Sequence, residues 1–426
     1  MNQFRIEGGF PAKGRIRASG NKNAALPCIA ATLLSDDPVT LRNIPEIQDV
    51  RVMFEVLESL GVEVEREAHG VYRIHTLNIT TSSIPAEQAG RVRASILLAG
   101  PMLARTGRIT LPPPGGDVIG RRRLDTHFLA LRGLGAHLEA DGVFHLRANK
   151  LVGDSLFLDE ASVTATENAI MAAVLSEGRT VIENAASEPH VQDLCNMLVS
   201  MGASISGIGS NILTIDGVSK LHGTDFRIGS DYMEVGSLIG LAAITRGDLV
   251  IDDAQPDHLK MIRLAFNKLG VHWERDGESL HVASGQSLAV VPDMGGMIPR
   301  IDDAPWPGFP ADLISIMIVV ATQSVGTTLM HEKMYESRMY FVDRLIEMGA
   351  RIILCDPHRA VVSGPCRLRG SELVSPDVRA GMAMLIAALS AEGTSVISNV
   401  YQIERGYEDL CGRLQALGLR IERQND

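Results

Sequence analysis

LESLGVEVE (Leu57–Glu65), LRGLGAHLE (Leu131–Glu139), LVSMGASIS (Leu198–Ser206), FNKLGVHWE (Phe266–Glu274), LIEMGARII (Leu345–Ile353) and LQALGLRIE (Leu414–Glu422) are six versions of one phrase. Each runs from an apolar, helix-like end through a glycine into an alternating, strand-like stretch. The glycines are Gly61, Gly135, Gly202, Gly270, Gly349 and Gly418, spaced by 74, 67, 68, 79 and 69 residues. A second landmark precedes each of them, a turn feeding an alternating strand: DDPVTLRNI, RTGRITLPP, SEGRTVIEN, TRGDLVIDD, SVGTTLMHE and AEGTSVISN. Two landmarks recurring six times in one order mark tandem copies of a structural unit of about 70 residues.

Ahead of each turn-strand landmark lies an almost wholly apolar run: NAALPCIAATLL, VRASILLAGPMLA, ATENAIMAAVLS, EVGSLIGLAAIT, ADLISIMIVVATQ and VRAGMAMLIAAL. Their length and their Ala, Leu and Met content suit a three-turn helix. A helix apolar on every face must be buried on every face. Each unit also holds an amphipathic helix, such as VRVMFEVLESLG or MIRLAFNKLG, whose closing glycine fits a left-handed C-cap. The expected unit is a mixed α/β layer with one helix fully inside. Six of them predict two globular halves with three repeats each.

Bulk properties narrow the function. A chain of 426 residues with 45% hydrophobic content is too long for one core and suggests two domains. Its start, MNQFRIEGGF, lacks the basic and apolar segments of a secretory leader, and no apolar run is long enough to span a bilayer. Five scattered cysteines without CxxC pairs fit reduced thiols, so a cytoplasmic location is expected. Twelve histidines show no HxH or HxxxH spacing, which gives a metal no support. A net charge of -11 argues against nucleic acid or an anionic membrane as partner, and the isolated run Arg121–Arg123 does not reverse that.

The starts of the apolar helices carry charge: Lys22, Arg93, Glu167, Asp231 with Glu234, Asp312, and Asp377 with Arg379. Acids there can cap the helix or compensate its dipole. Lys22, Arg93 and Arg379 are misplaced by that rule unless an anion lies among them. Helix N-termini aimed at one cleft would make a site for phosphate and carboxylate, allowing an acidic protein to take acidic substrates.

From SGNKNAALP (Ser19–Pro27) onward the chain resembles the enolpyruvyl transferases, in particular the branch that acts on UDP-N-acetylglucosamine in peptidoglycan synthesis. The resemblance continues through VRASILLAGP (Val92–Pro101), GGDVIGRR (Gly115–Arg122), ENAASEP (Glu183–Pro189), AQPD (Ala254–Asp257), PGFPADL (Pro307–Leu313), YESRM (Tyr335–Met339), PDVRAG (Pro376–Gly381) and IERGYED (Ile403–Asp409). It implies two inside-out α/β barrels, each built from three repeats around buried parallel helices. One domain would cover residues 22–229, the other residues 1–21 and 230–426, with the active site in the cleft between them.

The implied reaction moves the enolpyruvyl group of phosphoenolpyruvate to the 3-hydroxyl of UDP-N-acetylglucosamine and releases phosphate, through a tetrahedral ketal and with no cofactor. By the resemblance, Lys22, Asn23, Arg122 and Arg405 hold phosphoenolpyruvate, as bidentate arginines and a point-charge lysine suit. Arg93, Arg122, Arg123, Leu124, Asp125, Thr126, Ser162, Val163, Asp312 and Met334 match positions lining the nucleotide-sugar site. Asp312 would accept the hydroxyl proton; as an alternative it is only the N-cap of its helix. Arg405 could instead pair at the surface with Glu404 or Glu408. Glu336, Arg338, Asp377 and Arg379 match further cleft positions, where ion pairing would look the same as function.

Three departures from the family pattern stand out. Most members carry cysteine as general acid in the Gly-Gly-X loop, and here X is Asp117, a replacement known within the family. An aspartate, ordinarily near 3.9, would have to rise to about 7 to be largely protonated at neutral pH, a cost of ~4 kcal/mol. Lid closure and bound phosphate would raise it and Arg121–Arg123 would oppose this, but a minor protonated form can also act. Arg123 stands where proline is usual, and His190 where an acid is common. Competing readings are the sister transferase acting on shikimate 3-phosphate, disfavoured by Asn-Lys-Asn in place of Ser-Lys-Ser, and a non-catalytic nucleotide-sugar-binding paralogue.

Overall fold

The computed structural model describes residues 2–116 and 123–424, and the chain divides into two compact units. One contains residues 20–116 and 123–229; the other contains residues 2–19 and 230–424. Each has its own continuous apolar core.

The apolar runs form the inner helices. In the first unit they are Lys22–Ala31, a 3-10 turn Arg93–Leu98 running into Ala99–Thr106, and Val163–Ala173. In the second they are Tyr232–Ile244, the 3-10 turn Ala311–Leu313 running into Ile314–Gln323, and Val378–Ser390. All residues of Tyr232–Ile244 are buried, and so is every residue of Val378–Ser390 except Ser390. In the second unit each inner helix touches the other two. Gly236 and Gly240 make this contact close: a Cβ on either would lie 2.6 Å from Leu313 or 2.7 Å from Ile316.

Six sheets surround these helices among the described residues, and five repeat one pattern. The landmark strand pairs in parallel with an edge strand on one side and antiparallel on the other, with a hairpin strand in four of the five and with Gln3–Glu7 in the sheet of Thr394–Ser398. Arg179–Glu183, for example, lies between Ser155–Phe157 and Ile212–Asp216, with Ser204–Ser206 beyond. The sheet built on Arg108–Leu111 has three strands, and a parallel bridge from Ser83 to Thr110 stands at the fourth position. Within Asp248–Asp252 the side chains alternate, Leu249 and Ile251 fully buried and their neighbours outward. Helices therefore lie inside and sheets outside, which is the inside-out α/β architecture with three repeats in each unit.

The landmark glycines behave as the sequence predicts. Gly61, Gly135, Gly202, Gly270, Gly349 and Gly418 all take positive φ, between 75° and 106°, at the turn leaving the amphipathic helix. Only glycine enters that region without steric cost.

Each unit borrows a strand from a distant part of the chain. Asp225–Arg227 pairs in parallel with Val39–Arg42 and so joins the end of its unit to the start. In the other unit Gln3–Glu7 inserts between Thr394–Ser398 and Arg420–Gln424, and Lys13–Arg17 pairs with Asp248–Asp252. Glu234 supports the crossing at Ser19. Its buried carboxylate accepts from Ser19 N at 2.6 Å and is paired closely with Arg413, which also reaches Ser19 Oγ and Arg17 O.

Candidate active-site residues in each unit

In the unit with residues 20–229, Asn21 caps the first inner helix, its Oδ1 accepting from Asn23 N at 2.8 Å and Ala24 N at 3.3 Å. Asparagine at the N-cap satisfies N–H groups that the helix leaves open. Gly20 before it is obligatory, since a Cβ would lie 1.6 Å from Asn43 O. Lys22 opens the helix with its Nζ 3.3 Å from Asp49 Oδ2, both side chains largely buried. Arg93 reaches the Arg123 carbonyl at 3.4 Å. Arg123 pairs with Asp125 at 3.1 Å and lies 3.6 Å from Asp159, which also accepts from Thr126 Oγ1 at 2.6 Å.

Arg93, Arg123, Leu124, Asp125 and Thr126 thus form one cluster. Ser162 and Val163 open the helix Val163–Ala173, whose Thr164 Oγ1 is 3.1 Å from His127 Nε2. On its other side His127 meets Asn168, which also binds Gly100 N and the Ile96 carbonyl. Burial, then the nearby Arg93, lowers His127 to about 3, so it is a neutral spacer in that hydrogen-bonded wall. Asp117 and Arg122, the expected proton donor and phosphate ligand, lie outside the described residues.

In the other unit the starts of the three inner helices meet. Asp231 caps one of them, accepting from Met233 N and Glu234 N. Asp377 caps another, accepting from Arg379 N at 2.8 Å and Ala380 N at 2.9 Å. Asp312, on the third, is not a cap: Pro310 holds that position, and the carboxylate turns toward arginines. Arg338 Nη2 donates to Asp312 Oδ1 at 2.5 Å and Arg379 Nε donates to Oδ2 at 2.9 Å. Arg379, buried, also donates to the Tyr407 hydroxyl at 3.0 Å and lies over that ring. Burial pushes the Asp231 carboxyl up, against the pull of Arg379.

Arg405 is buried and donates to Gln402 Oε1 at 3.4 Å. Glu404 holds Arg423 at 2.7 Å. Met334 and Glu336 are exposed on the segment leading to Arg338.

Lys22 and Arg379 have internal carboxylate partners, Asp49 and Asp312, and Arg93 reaches the Arg123 carbonyl. Glu167 is not a helix cap either; it sits buried in the second turn, where burial and then Glu188 push it well up. His190 is buried. Sequence reasoning missed Asp49, Asp159 and Arg413, which carry no spacing signal, and Tyr407, which sits inside the quoted IERGYED block. Among the described residues no group of three or more His, Cys, Asp or Glu is placed to hold a metal.

The fold is that of an enolpyruvyl transferase. The solved structure of the enolpyruvyl transferase NikO from Streptomyces tendae superposes with a TM-score of 0.88 over 100% of this chain and 99% of its own, at 22% identity. The EPSP synthase (3-phosphoshikimate 1-carboxyvinyltransferase) family model matches residues 6–414. Two proteins named UDP-N-acetylglucosamine 1-carboxyvinyltransferase, from Treponema denticola and Treponema pallidum, are 65% and 63% identical, each aligned over 99% of both chains. This chain belongs to the enolpyruvyl transferase family.

Proposed function

We propose that the protein transfers the enolpyruvyl group of phosphoenolpyruvate to the 3-hydroxyl of UDP-N-acetylglucosamine, releasing phosphate, as a step of peptidoglycan precursor synthesis. The observation that carries this is full-length identity of 65% and 63% to two relatives bearing that activity's name. The family model, whose printed description names the shikimate 3-phosphate enzyme, defines the wider family rather than the acceptor.

Addition comes first: a proton goes to the methylene carbon of phosphoenolpyruvate while the sugar oxygen bonds to the adjacent carbon and loses its own proton. Elimination follows. The methyl group gives back a proton, the carbon–oxygen bond to phosphate breaks, and the double bond re-forms.

We assign Asp117 as the donor to the methylene carbon. Asp312 accepts the sugar proton, its carboxylate held by Arg338 and Arg379. Lys22, Asn23, Arg122 and Arg405 take phosphoenolpyruvate. Arg93, the segment Arg122–Thr126, Ser162, Val163 and Met334 take the nucleotide sugar. Arg338 and Arg379 orient Asp312, while Asp377 holds the helix start that presents Arg379.

Phosphate release separates the readings. It should require phosphoenolpyruvate and UDP-N-acetylglucosamine together and should not occur with shikimate 3-phosphate. Release with shikimate 3-phosphate would move the protein to the sister activity. Binding of the nucleotide sugar without release under either pairing would make it a non-catalytic paralogue.

A further inference from the structure

Two carboxyl groups, Asp303 and Glu332, meet inside the unit containing residues 230–424, and both are fully buried. Their contact is fixed by one N–H: Met334 N lies 3.2 Å from Asp303 Oδ2 and 3.1 Å from Glu332 Oε1. Asp303 Oδ1 takes Lys333 N at 2.5 Å, and the same Glu332 Oε1 also takes Tyr335 N at 3.0 Å. Three consecutive backbone N–H groups therefore hang on two acids. Among the described residues, buried Glu332 Oε2 has no hydrogen-bond partner. Two ionised carboxylates cannot share such a space, and a buried acceptor without a donor is costly. A proton on Glu332, donated to Asp303, resolves both problems.

We propose that Asp303 and Glu332 form a one-proton clamp that positions the segment 333–338 for nucleotide-sugar binding. The clamp rests on the transferase reading above, because that segment carries Met334, Glu336 and Arg338. From the clamp the chain leads directly to the chemistry, since Arg338 donates to Asp312. Asp303 and Glu332 touch no substrate in this proposal; they are positioning residues.

The charged and titratable surroundings agree. Burial, then Asp303, raises Glu332 to about 9, with Arg338 pulling the other way. His358, from the adjoining hairpin, bonds the Glu332 carbonyl at 2.8 Å rather than its carboxyl. Lys333 Nζ is turned to Asp302 at 2.7 Å, and Asp302 also feels Arg300 and His331. No cation among these is bonded to the acid pair. Because the folded acid is raised, the single proton stays in place at neutral pH. The clamp is lost as pH rises through about 9, when a second negative charge appears.

The test uses the full chain and two readouts, one of them independent of turnover. Amide exchange at Lys333, Met334 and Tyr335 reports the clamp, and calorimetric titration with UDP-N-acetylglucosamine reports its use. In the wild type both protection and affinity should fall between pH 8 and 10. Glu332→Gln keeps a donor toward Asp303 and an acceptor for the amides. It should hold affinity within about twofold at pH 7 and abolish the alkaline loss. Asp303→Asn removes an acceptor and should cost on the order of tenfold in protection and in affinity, with kcat changed much less than KM. Glu332→Gln behaving like Asp303→Asn, or a wild type indifferent to pH in this range, would overturn the clamp. A wild type whose amides follow this pattern but which releases no phosphate keeps the clamp and removes the transferase reading instead.

Discussion

Asp312 illustrates how a carboxylate's role depends on what faces it. On sequence alone it could be a helix cap or a base; in the structure each oxygen holds an arginine. Arg338 and Arg379 are themselves nearly buried, so removing the acid's charge leaves two guanidiniums uncompensated. Asp312→Asn should therefore lose stability as well as turnover, by about 3 kcal/mol, the usual scale for breaking a buried pair. Urea titration beside the phosphate assay checks this, and a fully stable but inactive variant would show the arginines to be satisfied elsewhere. Asp117 carries the other residue-scale prediction. An epoxide such as fosfomycin alkylates a thiolate by forming a sulfur–carbon bond and opening the ring. The wild type should resist it, and Asp117→Cys should become covalently modified. Mass spectrometry of the peptide spanning 115–123 reads the adduct directly, and an adduct on the wild-type loop would contradict the assignment. Asp312 stood out in the sequence because PGFPADL is a distinctive block. Arg338 and Arg379 stood out as well, in YESRM and PDVRAG, but their pairing with Asp312 did not, because they lie 26 and 67 residues away and pairing at such distances leaves no periodic trace.

At the scale of elements, the apolar runs and the six glycines made most of the architecture legible. An all-round apolar helix and a left-handed cap each have a short-range chemical cause, so both are written locally. Closeness between helices is not. Gly240 looks like a mild weakness in a helix, yet it is where Ile316 and Val320 of the next inner helix press in. Gly240→Leu should force the two helices apart at a cost of about 3 kcal/mol, the upper range for overpacking. A shift in denaturation midpoint without loss of helical signal would be the readout. Helix propensity alone predicts a gain, because glycine is among the poorest helix formers. The sign of the shift therefore decides which effect wins. The charges at the helix starts were visible too, but their internal partners were not: Asp49 sits in the first turn of the helix Gln48–Ser59 and Asp159 in a connecting segment, places where an acid is unremarkable.

At the scale of the molecule, each unit has a separate core, and one of them depends on residues 2–19 for its completion. Phe4 and Ile6 are fully buried in that core. Ile6→Asp would place an unpaired charge there. It should unfold the unit containing residues 230–424 while residues 20–229 keep their amide-exchange protection. Simultaneous loss of protection in both would mean the units are one cooperative body. Activity should vanish in either case, because the proposed reaction draws on residues of both units.

The inserted strand Gln3–Glu7 also sets a timetable for the newborn chain. Its neighbours on both sides, Thr394–Ser398 and Arg420–Gln424, lie nearly the whole described chain away and are made long after it. At ordinary ribosomal speeds of about 5–20 residues per second, that leaves an alternating, half-apolar strand without its mates for roughly 20–80 s. The intervening unit has time to fold first. Until those strands are made, Gln3–Glu7 remains a bare sheet edge that a holding chaperone could shield.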